Sequence, residues 1–201
     1  LAGVKNFVFT VDHGFHLVYP RPEGLAGLVG LEDLDLHPLL PGLDLLLGGA
    51  GVDRLDGGKG DDELRGEVGA DRLAGGVGQD QLTGGLGADT LDGGAGRDVL
   101  RWFAAAESAQ AGGRDEVVGF VRGEDTLNLS AIDADGRASN GDTRFRFIGS
   151  AAFSGDGREL RASVVNGTST RVEADLDGDG AVDFSLLVRD VVGLTAGDFV
   201  L

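Results

Sequence analysis

One nine-residue unit, G-G-x-G-x-D-x-L-x, is written six times without a gap between Gly48 and Arg101. The copies are GGAGVDRLD, GGKGDDELR, GEVGADRLA, GGVGQDQLT, GGLGADTLD and GGAGRDVLR, and only Glu67 departs from the framework, at a second-position glycine. The aspartates fall at Asp53, Asp62, Asp71, Asp80, Asp89 and Asp98, and the leucines at Leu55, Leu64, Leu73, Leu82, Leu91 and Leu100. A period this strict restricts the chain to structures in which every unit repeats the conformation of the last. A flexible glycine-rich linker would show no periodic Asp or Leu.

Glycines at positions one, two and four suit tight turns through positive φ, which also bring backbone carbonyls close together. The following x-L-x is one pleat of strand with a single inward side chain. Turn plus strand carries the chain half-way round a flattened coil, so eighteen residues complete a circuit and stacked circuits form two parallel sheets. Leu55, Leu73 and Leu91 then line one sheet, facing Leu64, Leu82 and Leu100 in the other. Turns on one edge are two repeats apart, which sets Asp53, Asp71 and Asp89 in one row and Asp62, Asp80 and Asp98 in another. Neighbours in these rows lie roughly one strand spacing of about 4.8 Å apart. Each pair repels by about 0.8 kcal/mol in a water-like dielectric, and more near a protein surface. A hard cation between them reverses the sign.

Calcium fits this requirement because it accepts six to eight carboxylate and carbonyl oxygens in a flexible geometry, whereas magnesium demands a stricter octahedron. The expected ligand-bearing turns are Gly49, Gly51 and Asp53; Gly58, Gly60 and Asp62; Gly69 and Asp71; Gly76, Gly78 and Asp80; Gly85, Gly87 and Asp89; and Gly94, Gly96 and Asp98. Several Ca2+ ions are expected. The nonapeptide resembles the calcium-binding β-helix repeat of RTX proteins.

With 34 acidic against 17 basic residues, the net charge of −17 argues against nucleic acid and anionic membrane and suits cation binding. Cysteine is absent, so neither disulfides nor thiolate metal sites exist. The chain lacks methionine and begins at Leu1, as a processed product or a fragment would. Residues 1 to 19 carry Lys5, Asp12 and His13 and do not form a signal peptide. The leucine-rich run from Leu25 to Leu47 is interrupted by acids and prolines, so no membrane span is expected. Extending the frame backwards, residues 39 to 47 keep Gly42, Asp44 and Leu46, and residues 30 to 38 keep Gly30 and Asp35. Both are expected to be decaying repeats that cap the roll, with Asp44 beside Asp62. His13 and His16 form H-x-x-H, and His37 is the other histidine, but the third ligand and the Glu of a zinc helix are missing. Surface histidines on a short strand are the plainer reading.

After Arg101 ordinary β patterning begins. Trp102 and Phe103 are expected to lid the last coil, and an Ala/Glu/Ser stretch follows as short helix or loop. Phe145 and Phe147 alternate with Arg144 and Arg146, and Val182, Phe184, Leu186 and Val188 line one face of the last hairpin. Between its strands, Asp175, Asp177, Asp179 and Asp183 with Gly180 occupy EF-hand places, although Leu186 stands where the bidentate Glu belongs. That stretch is either a polar turn or a second type of calcium site. The succession GGAGRDVL, GRDEVVGF, GEDTLNLSAIDA, FRFIG, FSGDGREL, EADLDGDGAVDF and LTAGDFVL resembles the C-terminal domain of the serralysin family of secreted zinc metalloproteases, over residues 48 to 201. The resemblance implies a calcium-loaded parallel β-roll packed against a sandwich-like cap that carries a type I secretion signal. Gly119 stands where that family has Asp, which puts in question a further calcium site near Asp115 and Asp125. The family's catalytic zinc helix is absent from this chain.

The expected fold is all-β, a parallel β-roll packed against a C-terminal antiparallel β cap. Its divisions are an N-terminal segment 1–38, a calcium-binding roll 39–101 and a cap with secretion signal 102–201. The expected function is a non-catalytic module that folds on calcium and forms the C-terminal part of a secreted bacterial hydrolase, with no catalytic residue. It would be an extracellular monomer whose partners are calcium and a type I exporter. An adhesin or surface-binding module is the alternative, and an enzyme using His13, His16 and a carboxylate is a third reading.

Overall fold

The computed structural model describes residues 43–109, 113–135 and 143–201, together with the strand pairing of residues 5–11, 15–20 and 35–36. The first strands are β1 (Lys5–Val11), β2 (Phe15–Pro20) and β3 (Asp35–Leu36). The repeats supply β4 (Leu43–Ala50), β5 (Arg54–Lys59), β6 (Glu63–Val68), β7 (Arg72–Gly78), β8 (Gln81–Leu86), β9 (Thr90–Gly96) and β10 (Val99–Arg101). Beyond them lie β11 (Asp115–Val118), β12 (Thr126–Asn128), β13 (Arg146–Phe147), β14 (Glu159–Val165), β15 (Ser169–Asp175), β16 (Phe184–Val188) and β17 (Phe199–Val200).

Successive repeat strands alternate between two sheets, as the eighteen-residue circuit requires. One sheet runs β17-β12-β10-β8-β6-β4-β1-β2 and the other β13-β14-β15-β16-β11-β9-β7-β5-β3. Leu46, Leu64 and Leu82 pair in register in the first sheet, and Leu55, Leu73 and Leu91 in the second. All are buried. The strands are longer than the three-residue pleat expected from x-L-x: β5 starts at position seven of one repeat and runs to position three of the next. Parallel pairing continues through the glycines, with Gly58 opposite Gly76 and Lys59 opposite Val77. Along this stretch the period-two alternation buries the Asp, the Leu and the first-position Gly of the next repeat. The inward face therefore carries a carboxylate, an aliphatic group and no side chain in turn.

Of the stretch 39–47, the described residues 43–47 behave as a repeat, with Leu46 buried opposite Leu64. Of the stretch 30–38, the described Asp35 and Leu36 sit one residue out of frame: Leu36 pairs with Leu55 and Asp35 with Arg54. That offset gives the column position to a leucine where the strict frame would give it to His37. His13 and His37 lie outside the described residues, and His16 is described only as part of β2.

Beyond Arg101 both sheets continue without a break. β12 and β17 extend the first in parallel, and β11 and β16 extend the second in parallel. Antiparallel pairing in this part of the second sheet is confined to β14, β15 and β16, so the cap is less antiparallel than its patterning suggested. Phe184, Leu186 and Val188 are fully buried and Phe145 is buried. The lid is Trp102 alone, buried with its ring edge-on to Phe184 at 6.1 Å. Phe103 is 46% exposed, because the backbone turns there into a 3-10 helix over Ala105–Ser108 and its ring faces the Arg101 guanidinium instead.

Candidate metal centre

The turns bring the aspartates into two ladders. In each link the carboxylate Oδ1 accepts the backbone N–H of the aspartate one circuit earlier. Along one edge Asp44 donates to Asp62 and Asp62 to Asp80, both at 2.8 Å, and Asp80 donates to Asp98 at 3.0 Å. Along the other Asp53 donates to Asp71 and Asp71 to Asp89, again at 2.8 Å. The ladders then run past the repeats: Asp89 donates to Asp115 at 2.9 Å and Asp98 to Asp125 at 3.1 Å. Every stacked pair expected from the period is present, as is Asp44 beside Asp62. Asp115 and Asp125 escaped the period because insertions lengthen their circuits to 26 and 27 residues.

The second carboxylate oxygen carries the chemistry. Oδ2 of Asp62, Asp71, Asp80, Asp89 and Asp98 is buried with no hydrogen-bond partner. A buried acceptor without a donor is expensive, and more so when it is charged. A Cβ added at Gly66 would lie 2.4 Å from Asp71 Oδ2 and 2.6 Å from the Gly84 carbonyl oxygen. At Gly75 the same point lies 2.5 Å from Asp80 Oδ2 and 2.6 Å from the Gly93 oxygen, and Gly48 and Gly57 repeat the arrangement. Carboxylate and carbonyl oxygens from successive coils thus converge, and the carboxylate oxygen has no donor. That donor set fits calcium and suits neither zinc nor a neutral ligand.

Electrostatics agree. Burial pushes the carboxyls of Asp62, Asp80 and Asp89 up to about 6, against the lowering effect of the ladder N–H, and the neighbouring ladder carboxylate adds to the rise. Asp71 and Asp98 are raised for the same leading reason. Asp115, fully buried, is pushed to about 7 by burial, although the Trp102 indole N–H opposes the shift. A divalent cation removes the reason for these groups to hold protons.

The glycines divide by role. Positions two and four have positive φ, as at Gly76 (105°) and Gly78 (152°), and shape the turn. Position one does not take positive φ, contrary to expectation; it is glycine because the Asp carboxylate fills the space of a side chain. Gly48, Gly57, Gly66, Gly75, Gly84 and Gly93 therefore belong to the centre, and their invariance in the period was the available signal. Glu67 takes φ of 76° with its side chain exposed, away from the inward face. In the loop after β15, carboxylate oxygens of Asp175, Asp177 and Asp183 lie within 4.8 Å of one another, without Asp179. Asp175 there accepts the Gly178 and Gly180 N–H at 2.7 and 3.0 Å, and Asp183 accepts that of Leu176 at 2.8 Å.

Residues 41–73 and 65–100 match the family model of the RTX calcium-binding nonapeptide repeat, in four copies. These are calcium-binding RTX repeats. The fold is similar to that of the AlgE6R2 subunit of the Azotobacter vinelandii mannuronan C5-epimerase, at 26% identity over 87% of this chain and 91% of that one, with a TM-score of 0.52. The AlgE6R3 subunit of the same enzyme aligns at 26% identity over 90% and 85%, with a TM-score of 0.43. No curated protein matches the chain. Ladder, donor set and repeat together make the repeat region an RTX β-roll that binds calcium. Among the described residues no helix is long and apolar enough to cross a membrane.

Proposed function

We propose that this chain is a non-catalytic folding and export module, the C-terminal part of a secreted bacterial enzyme. By its resemblance to the serralysin blocks, that enzyme is a hydrolase of the metalloprotease type. The observation that carries the reading is the row of buried carboxylate oxygens without donors. Calcium supplies what the chain lacks, so the roll is unfolded where calcium is scarce and folds outside the cell, at about 0.1 to 1 mM. The aspartates from Asp53 to Asp98 hold the ions, with carbonyls of the turn glycines. Residues 39–101 form the ion-binding unit, residues 102–201 close it and carry the export signal, and residues 1–38 precede it. The chain works as an extracellular monomer whose transient partner is a type I exporter.

The C-terminus supports this division. Asp198 is buried and its Oδ2 accepts the N–H and hydroxyl of Thr195 at 2.7 and 3.0 Å, while Phe199 pairs with Leu127 at the end of the first sheet. A segment built into a sheet is open to an exporter only before folding. Circular dichroism decides the calcium reading: strand content rises cooperatively as calcium is added to chelated protein, and strand content already complete in chelator overturns it. For export, deletion of residues 198–201 leaves the product inside a host with a matching exporter; undiminished secretion counts against the signal.

A surface-binding module is the second reading. It draws on a groove of about 180 Å³ over the second sheet, lined by Arg54, Arg72, Thr90, Asp56 and Asp92, with Arg54 and Arg72 in register. It draws also on the likeness to a subunit of an enzyme named for mannuronan. Retention on immobilised mannuronan, lost in Arg72→Ala, supports it, and free passage through the column removes it.

A further inference from the structure

The two ladders end differently from the way they run. At each rung within the repeats from Asp62 onward, Oδ1 holds the preceding N–H and Oδ2 has no donor. At Asp115, Oδ1 likewise accepts the Asp89 N–H, but Oδ2 accepts the indole N–H of Trp102 at 2.7 Å. At Asp125, Oδ1 accepts the Asp98 N–H and Oδ2 accepts the Val121 N–H at 2.7 Å. Both closing carboxylates are buried, and both have every oxygen engaged.

We infer that Trp102 and the Val121 amide take the place of cations at the last rung of each ladder, so that the calcium columns end at Asp89 and Asp98 and Asp115 and Asp125 bind no ion. This rests on the calcium reading of the ladders given above. An ion column in a roll of finite length has an end problem, because a terminal cation lacks the next coil that would complete its oxygen shell, and calcium needs six to eight ligands. A neutral N–H meets the buried carboxylate with one directed bond and needs no further coil. The indole suits the second ladder because it is a donor only and its ring fills the space beyond the last leucines.

The position of Asp115 is fixed independently of any ion. Its own N–H donates to Ser108 Oγ at 2.9 Å, and that hydroxyl donates to the Ser185 carbonyl at 2.7 Å. Trp102 is immobilised by Phe184 at 6.1 Å and by its backbone N–H on the Asn128 carbonyl. A carboxylate with an N–H donor on each oxygen, on a residue anchored through its own N–H, is a finished hydrogen-bond site, whereas the rungs before it are unfinished.

The test counts ions. Calcium bound per folded chain is measured by equilibrium dialysis and atomic emission in the wild type and in Trp102→Phe, which removes the N–H and keeps an aromatic ring. Release of Asp115 Oδ2 raises the count by about one ion per chain; a folded variant with an unchanged count overturns the inference. Trp102 is the sole tryptophan, so its indole N–H gives a single resonance in the wild type. If Trp102→Phe does not fold, hydrogen exchange of that proton at saturating calcium decides. Exchange slowed by about a hundredfold or more relative to a free indole supports the cap, a slowing equivalent to at least about 2.7 kcal/mol of protection. Exchange near the free rate shows that the bond is displaced and overturns it. Wild-type protein that binds no calcium overturns the calcium reading and the cap with it, whereas calcium binding with a freely exchanging indole overturns the cap alone.

Discussion

The turns of the roll and the loop between β15 and β16 are both written in aspartate and glycine, yet their carboxylates are in opposite states. In the loop, Asp175 spends both oxygens on Gly178 and Gly180, Asp183 accepts Leu176, Asp177 accepts Asp179, and Asp179 accepts Ala181. The backbone has closed around its own acids, as Asx turns do. In the roll, strand pairing consumes the nearby N–H groups, and each interior aspartate receives one donor for two oxygens. The difference teaches that demand for a cation lies in oxygens that are both buried and without a donor. Density of acids and distance between them do not measure it, since the loop brings its carboxylates within 4.8 Å and leaves none of their oxygens both buried and without a donor.

The largest effect is expected from filling the cradle. Gly75→Ala places a Cβ 2.5 Å from Asp80 Oδ2 and 2.6 Å from the Gly93 carbonyl, and the roll should lose its cooperative calcium transition in circular dichroism. The matching change in the loop, Gly180→Ala, meets nothing within 4 Å; its φ of 81° costs about 1 to 2 kcal/mol of stability and leaves the calcium midpoint in place. Equal responses at the two glycines would dissolve the distinction. Next comes Asp80→Asn, which retains an oxygen for the Asp62 N–H and removes the ionic ligand. The calcium midpoint should rise by about tenfold or more, the equivalent of about 1.4 kcal/mol per site affected. A midpoint within error of wild type would mean that Oδ2 holds no ion.

Acid should separate the regions more gently. Asp62, Asp80 and Asp89 are raised by burial from 3.8 to about 6, so without calcium the folded roll binds protons more tightly than the unfolded chain. Their contribution to the stability of the calcium-free fold is then fully present below about pH 4 and lost as pH rises through about 6. Chelated protein should therefore gain strand content on acidification from pH 7 towards 4.5. With calcium present the sign reverses, because protons compete with the ion for the same oxygens. Chelated protein that loses strand structure over the same interval would show that the ladder carboxylates are not desolvated as described.

Much of this was legible before any coordinates, because a strict period transmits position without distortion. The eighteen-residue circuit, the leucine columns, the stacked aspartates and even the degenerate repeat with Asp44 and Leu46 follow from counting. What failed to show was whatever broke the count or depended on the absence of a side chain. Asp115 and Asp125 join the ladders across 26- and 27-residue circuits, so no fixed spacing points to them. The first-position glycines looked like the others, and only their negative φ and the carboxylate in their side-chain space separate the roles. Phe103 and Trp102 are equally apolar on paper, yet the backbone turn into the 3-10 helix leaves one exposed while the other is buried with its indole N–H on Asp115. The Asp175 to Asp183 loop was ambiguous for a related reason: spacing reports where carboxylates are, and the donors that answer them belong to backbone no pattern names.

The smallest expected effect is the one that most sharpens the contrast. Asp177 is the least enclosed of the three loop acids whose oxygens converge, and its Oδ1 accepts the Asp179 N–H at 3.0 Å. Asp177→Asn keeps an oxygen for that bond and removes only the charge, so it isolates electrostatics from turn geometry. If the loop is a self-satisfied turn, the calcium midpoint of the variant equals that of the wild type, the number of ions bound is unchanged, and stability shifts by no more than about 0.5 kcal/mol, as at ordinary surface sites. Removing one of several clustered negative charges should, if anything, help slightly. A midpoint raised as far as in Asp80→Asn, or the loss of one bound ion in dialysis, would place a cation in the loop. The internal hydrogen bonds would then be those of a site waiting for its ion, and a buried oxygen without a donor would no longer discriminate between the two regions.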